Sequence, residues 1–164
     1  MFKRTLCLLA ALCLFSLPVL AETADTFTSA SATTDHYGDY ALAGDDLEKA
    51  LNSISGFYLV CTTNPDGSAN AAFAIFGAVQ HEGRLYLQMG FAENQTKANI
   101  LATKKGLAVY AANPGTAEGD KPYAVSGARM SFQLVEDEEL IKTLQGDSKR
   151  PAIFVEVVNT LPLG

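Results

Sequence analysis

The sequence predicts a mainly β chain of α+β character, six strands closed into an antiparallel barrel with short helices tucked between them. Three observations lead there. Apolar segments of strand length are joined by tight turns, chiefly Asn64-Pro65-Asp66-Gly67 and His81-Glu82-Gly83. The meander they form feeds straight into a helix opening at Asn94-Gln95-Thr96-Lys97. No Gly-x-Gly-x-x-Gly follows a strand, no Walker motif occurs and no segment repeats, which excludes a dinucleotide-binding Rossmann sheet.

The first 21 residues read as a secretory signal rather than as part of the barrel. Lys3 and Arg4 precede an apolar run over 6–17, and Pro18 with Val19-Leu20-Ala21 supplies a break and small residues at a cleavage position. The run is short for a bilayer span, which favours cleavage, and the alternative is a retained N-terminal anchor. Cleavage after Ala21 leaves 143 of the 164 residues, and the loss of two cations takes the formal charge from −6 to −8. The expected address is therefore exported, periplasmic or extracellular, with no membrane association after cleavage. So acidic a domain has no electrostatic footing on nucleic acid or anionic lipid. Cys7 and Cys13 leave with the signal and Cys61 remains alone, so no internal disulfide forms and an ordinary apolar core must hold the chain.

Residues 22–42 are rich in Thr, Ser, Ala and Asp without apolar period, and read as a flexible linker before a single domain over 43–164. Asp45 and Asp46 open a helix whose Leu47, Ala50, Leu51 and Ile54 share one face, and Gly56 ends it. Strands follow over 57–63, 68–80 and 84–89. A second helix spans 95–104, with Lys104 and Lys105 at its negative end and Gly106 as its C-cap. Strands over 107–112 and 122–135, the second bending near Gly127, precede a short helix over 136–144 and a closing strand over 152–158.

Most candidate chemistry in this chain has an ordinary structural explanation. His36 lies in the linker and His81 in a hairpin turn, and neither stands beside a Ser or Cys on a glycine elbow, so a nucleophilic triad is excluded. Asp35, His36 and Asp39 match no metal-ligand spacing, and no metal site is expected. Cys61 reads as a small buried hydrophobe in a strand, the redox thiol being the alternative. Glu136-Asp137-Glu138-Glu139 sits where a helix start favours negative charge. The segment 93–99 differs. Asn94 is placed to cap the helix, and Gln95, Thr96, Lys97 and Asn99 surround a helix N-terminus whose free N–H groups suit a phosphate. Asn and Thr are also ordinary helix starters, so the segment has a purely structural reading as well.

The order Asp66-Gly67 turn, Gly90, Gln95-Thr96-Lys97-Ala98-Asn99-Ile100, then Tyr123-Ala124-Val125-Ser126-Gly127-Ala128-Arg129 resembles the flavin-binding split barrels related to pyridoxamine 5'-phosphate oxidase, over about residues 43–158. The resemblance implies a six-stranded split barrel, bound FMN, a pocket shared between two subunits of a homodimer, and an oxidoreductase acting on a small molecule or electron partner. It places Asn94, Gln95, Thr96, Lys97 and Asn99 at the cofactor, with Thr96 bonding the phosphate and Asn99 bracing the helix start. Gln95 stands where these proteins often carry a phosphate-pairing Lys. The stretch Ala71-Ala72-Phe73-Ala74-Ile75-Phe76-Gly77-Ala78, which faces flavin in the family, is apolar here. Ala124 to Ala128 partly resembles a covalent flavin-attachment motif, without the upstream Asp or Asn and with Arg129 at a hydroxyl position. No general acid or base stands out, which suits electron or hydride transfer.

Two other functions fit the same residues. A barrel without flavin would use its apolar second strand to hold haem or another apolar ligand. A purely structural domain would use its strands for dimerisation alone.

Overall fold

Residues 69–81 decide the architecture. The computed structural model describes residues 38–113 and 125–163. The expected signal, the linker up to residue 37 with Asp35 and His36, the loop after Asn113, and Tyr123 and Ala124 lie outside the described residues. The strands are β1 (Phe57–Thr63), β2 (Ala69–Phe73), β3 (Phe76–His81), β4 (Arg84–Met89), β5 (Lys105–Ala112), β6 (Ser126–Leu134) and β7 (Ile153–Leu161). The helices are α1 (Gly44–Asn52), α2 (Gln95–Thr103) and α3 (Glu138–Gln145).

All seven strands form one antiparallel sheet in the order β2-β1-β5-β6-β7-β4-β3. Its two ends, β2 and β3, are consecutive in the chain, separated only by Ala74 and Ile75. The covalent chain thus closes the barrel where strand hydrogen bonds do not. This corrects the expected count of six. The single strand over 68–80 bends at Ala74-Ile75, its first half pairing with β1 and its second with β4. Apolar residues on both sides of the bend gave no sign of the break.

Turn chemistry explains the hairpins. Glu82 and Gly83 both have positive φ, 50° and 74°, the conformation a two-residue hairpin turn needs to match strand twist. Gly67 N–H bonds Asn64 O at 2.9 Å and closes the β1–β2 turn.

The core fills the barrel from the inward alternate positions. Tyr58, Val60, Ala108, Tyr110, Ala128, Met130, Phe132 and Val155 meet Leu47 and Leu51 of α1 and Ile100 of α2. Tyr58 stands edge-on to Phe76 and Tyr110, with centroids 5.1 and 5.0 Å away, a favoured aromatic geometry. Its hydroxyl reaches Leu51 O at 2.7 Å, tying the helix to the strand. Asn52 locks α1 to β3 by exchanging two bonds with the Ala78 backbone at 2.8 and 2.9 Å. A smaller cluster of Tyr86, Val135, Leu144 and Phe154 seats α3. Residues 38–42, the last of the expected linker, form a 3₁₀ turn and an isolated bridge, with Leu42 N–H on Gly127 O at 2.9 Å.

Three of the local expectations differ for physical reasons. Gly106 lies inside β5, and Lys104 caps α2 in the left-handed region with φ 61°. A side chain at Gly106 would strike the Phe132 ring and Cys61 O, so the glycine serves packing instead. The β6 irregularity falls at Ser131/Phe132 rather than at Gly127. Ile54, expected on the buried face of the first helix, follows the helix end with φ 53° and is 69% exposed. A β-branched residue there strains the backbone by about 1–2 kcal/mol. Ile54→Asn is therefore expected to stabilise the chain by about 1 kcal/mol, raising the thermal midpoint by roughly 3 °C. An unchanged or lowered midpoint would show that Ile54 gains more from contacts than its backbone loses.

Candidate functional site

The inner face of β1 turns polar at its last buried position. Tyr58 and Val60 are followed by Thr62, 7% exposed, and the start of α2 packs over it. Asn99, 3% exposed, donates to Thr62 Oγ1 at 3.0 Å and to Asn64 Oδ1 at 2.8 Å. Its own Oδ1 accepts from Gln95 Nε2 at 2.7 Å. From β2, Asn70 Nδ2 donates to Thr62 Oγ1 at 3.0 Å and to Thr96 Oγ1 at 2.9 Å. Among the described residues no buried side-chain polar atom lacks a partner, as a low-dielectric interior demands.

Asn94 caps α2 as expected, its side chain accepting from Lys97 N–H at 2.9 Å. Ala98 N–H bonds Asn94 O at 3.1 Å. The two earlier amides, of Gln95 and Thr96, fall where a helix supplies no partner, and with the dipole they form the positive end of α2. Thr96 is 3% exposed, its hydroxyl held by Asn70. Lys97 Nζ forms a close ion pair with Glu93, one turn earlier. All five expected site residues thus sit at one helix start, where Gln95, Thr96 and Asn99 join a single network and Lys97 joins a separate pair.

Thr62, Asn64 and Asn70 belong to this network and were missed. Thr62 looked like part of a strand alternation, and Asn64 like a turn residue. Asn70 alone carried a signal, a polar side chain in an apolar strand directly opposite Thr62. The hairpin turn extends the network. Asp66 Oδ1 accepts from the Ser68 hydroxyl at 2.6 Å and from Ser68 N–H at 2.9 Å. Those two bonds, the hydroxyl first, hold the Asp66 carboxyl below the ordinary carboxylate range. A lowered value means its stabilising contribution is present at neutral pH and lost as the pH falls through that value.

Other candidates are weaker. Burial pushes the Cys61 thiol up, away from the thiolate that redox chemistry needs. No group of metal-ligating side chains occurs among the described residues. A cavity of about 260 Å³ lies at the far end of α2, lined by Thr103, Lys104, Lys105, Gln133, Leu134 and Glu136. There the dipole is negative and Lys104 is bound to Glu136 at 2.6 Å, so the cavity does not favour an anion.

The outer face of the same strands is apolar. Leu59 lies between Phe73 and Val109, Cys61 between Ala71 and Leu107, and Phe57 opposite Ala111. Phe57 and Phe73 are 69% and 77% exposed, and Ile75 at the seam is 63% exposed.

Closed by its own chain at Ala74-Ile75, with a polar helix start over the inner end of β1, this is the split-barrel fold of FMN-binding and pyridoxamine 5'-phosphate oxidase-like proteins. An FMN-binding protein from Syntrophomonas wolfei is similar at 17% identity, over 72% of this chain and 84% of that one, with a TM-score of 0.51. HupZ of group A Streptococcus is similar at 16% identity over 75% and 97% of the two chains, with a TM-score of 0.48. HutZ, the heme storage protein of Vibrio cholerae, gives 13% identity over 70% and 90%, with a TM-score of 0.43. No protein-family model and no curated protein matches the chain.

Proposed function

We propose that this chain is an exported FMN-binding split barrel that acts as a homodimer, an oxidoreductase of the pyridoxamine 5'-phosphate oxidase-like type working on a small molecule or electron partner. The observation that carries the reading is the start of α2. Two amides without helical partners, a cap that engages only the Lys97 N–H and a cation at Lys97 meet in the fold that an FMN-binding protein also adopts. The donor set suits the phosphate end of FMN, with the Gln95 and Thr96 backbone amides, the Thr96 hydroxyl and Lys97 as its holders. Glu93 competes with the phosphate for Lys97 and sets the affinity below what the cation alone would allow. Bound flavin supplies hydride or single-electron transfer, while the protein positions it and excludes water. The homodimer is supported by the apolar outer face of β1, β2 and β5, since exposed patches of this kind mark association surfaces.

The test is a visible absorption spectrum of the chain from Glu22 onward, before and after incubation with FMN and desalting, with its size measured in the same run. A retained yellow dimer is expected. A second reading, a module holding haem or another apolar ligand, draws on the exposed Phe73 and Ile75 beside the barrel seam. A colourless chain that takes up haem but not FMN would decide for it.

A further inference from the structure

A hydrogen-bond chain joins the exposed β1–β2 turn to the start of α2, and its direction is set from one end. An ionised carboxylate only accepts. Asp66 Oδ1 therefore takes the single proton of the Ser68 hydroxyl, at 2.6 Å. Ser68 Oγ, its proton spent, accepts from Asn64 Nδ2 at 3.0 Å. That turns Asn64 Oδ1 toward Asn99, which must present Nδ2 to it, at 2.8 Å. The second Nδ2 hydrogen of Asn99 goes to Thr62 Oγ1 at 3.0 Å, and its Oδ1 is left to accept from Gln95 Nε2 at 2.7 Å. Thr62 Oγ1 and Thr96 Oγ1 both accept from Asn70 Nδ2, at 3.0 and 2.9 Å. Gln95 thus keeps one Nε2 hydrogen for another acceptor, while Thr96, which accepts from Asn70, keeps its hydroxyl proton.

We propose that Asp66 is a positioning residue for the anion site, fixing through Ser68, Asn64 and Asn99 the amide orientations that leave donors, rather than acceptors, at the start of α2. The inference deepens the FMN reading and rests on it. Asp66 touches no ligand. It acts because every amide between it and Gln95 has two possible orientations, and only the carboxylate end removes the choice. Without the charge, a donor can approach Ser68, and the chain loses its fixed sense.

The test compares wild type with Asp66→Asn, Asp66→Ala and Ser68→Ala. Each is titrated with FMN and with riboflavin, which shares the ring and ribityl chain but has no phosphate. FMN affinity is expected to fall about fivefold in all three variants, the value of roughly one hydrogen bond, with riboflavin affinity unchanged. An equal loss for both ligands would show only a loosened turn and overturn the proposal, as would no loss for either. Exchange of the Gln95 and Asn99 side-chain amide protons, followed by NMR without ligand, reads the chain independently of flavin. Faster exchange in Asp66→Asn supports the relay, and unchanged exchange overturns it. Wild type that takes up no FMN sinks the flavin reading instead, and the exchange result then decides the relay by itself.

Discussion

Replacing Gly127 with alanine is expected to destabilise the barrel by about 3 kcal/mol, enough to lower its thermal midpoint by roughly 10 °C. Gly127 is buried in β6 opposite Ala111. A Cβ there would lie 2.1 Å from Tyr110 O and 2.9 Å from Leu163 Cδ1. The first contact is with backbone, which cannot swing aside as a side chain does, so the β5–β6 ladder must shift. The same residue also accepts from Leu42 N–H, so movement there loosens the 38–42 segment as well. Gly90 supplies the control, because a Cβ at that position meets nothing within 4 Å and its φ is ordinary. Gly90→Ala should stay within about 0.5 kcal/mol of wild type. Equal midpoints for the two variants would show that the close approach at Gly127 carries no energetic weight.

The second large effect belongs to the ligand. Thr96→Ala combined with Lys97→Ala is expected to weaken FMN binding by roughly 30- to 1,000-fold. The double change removes one charged and one neutral hydrogen bond to phosphate, together about 2–4 kcal/mol. Thr96 is buried against Asn70, so part of the loss comes through a disturbed helix start, and a circular-dichroism check separates the two. Glu93→Gln at the same site should move affinity the other way, because it frees Lys97 from its ion pair. The gain should shrink in high salt, as exposed charge effects do. Unchanged FMN affinity in the Thr96/Lys97 double variant would remove the helix start from the binding site altogether.

Much of the fold was legible because its signals are local. Alternating apolar residues placed β1 and β4 at 57–63 and 84–89 without error. Asn94 announced its own cap, since a short side chain carrying an acceptor ahead of a helical run has few other uses. The fold class followed from strands separated by tight turns. Gly106 misled for an equally physical reason. A glycine after a helix commonly ends it, but here Phe132 and the Cys61 carbonyl leave no room for a side chain, and Lys104 adopts the left-handed turn. Ile54 continued the apolar spacing by coincidence, two residues beyond the end of its helix.

The candidate site was half legible. Gln95, Thr96, Lys97 and Asn99 cluster within one helical turn, so sequence proximity exposed them. Their partners Thr62, Asn64 and Asn70 lie 26 to 37 positions away and share no motif with them. Thr62 and Asn64 read as ordinary strand and turn residues until the strands pair, and only Asn70, polar in an apolar strand, stands out.

The amino-acid sequence by itself determined which segments are strands, where most turns fall and which helix start is polar. Those are properties of a few adjacent residues, written in backbone preference and in periodic burial. Only the tertiary structure decided that one extended segment bends at Ala74-Ile75 to pair with β1 on one side and β4 on the other, closing the barrel. It alone decided that the β1–β2 turn is joined to the start of α2, through Asn64 and the buried Asn99 35 positions away. Strand partnership and buried polar satisfaction depend on residues far apart in the chain, and no local propensity encodes them.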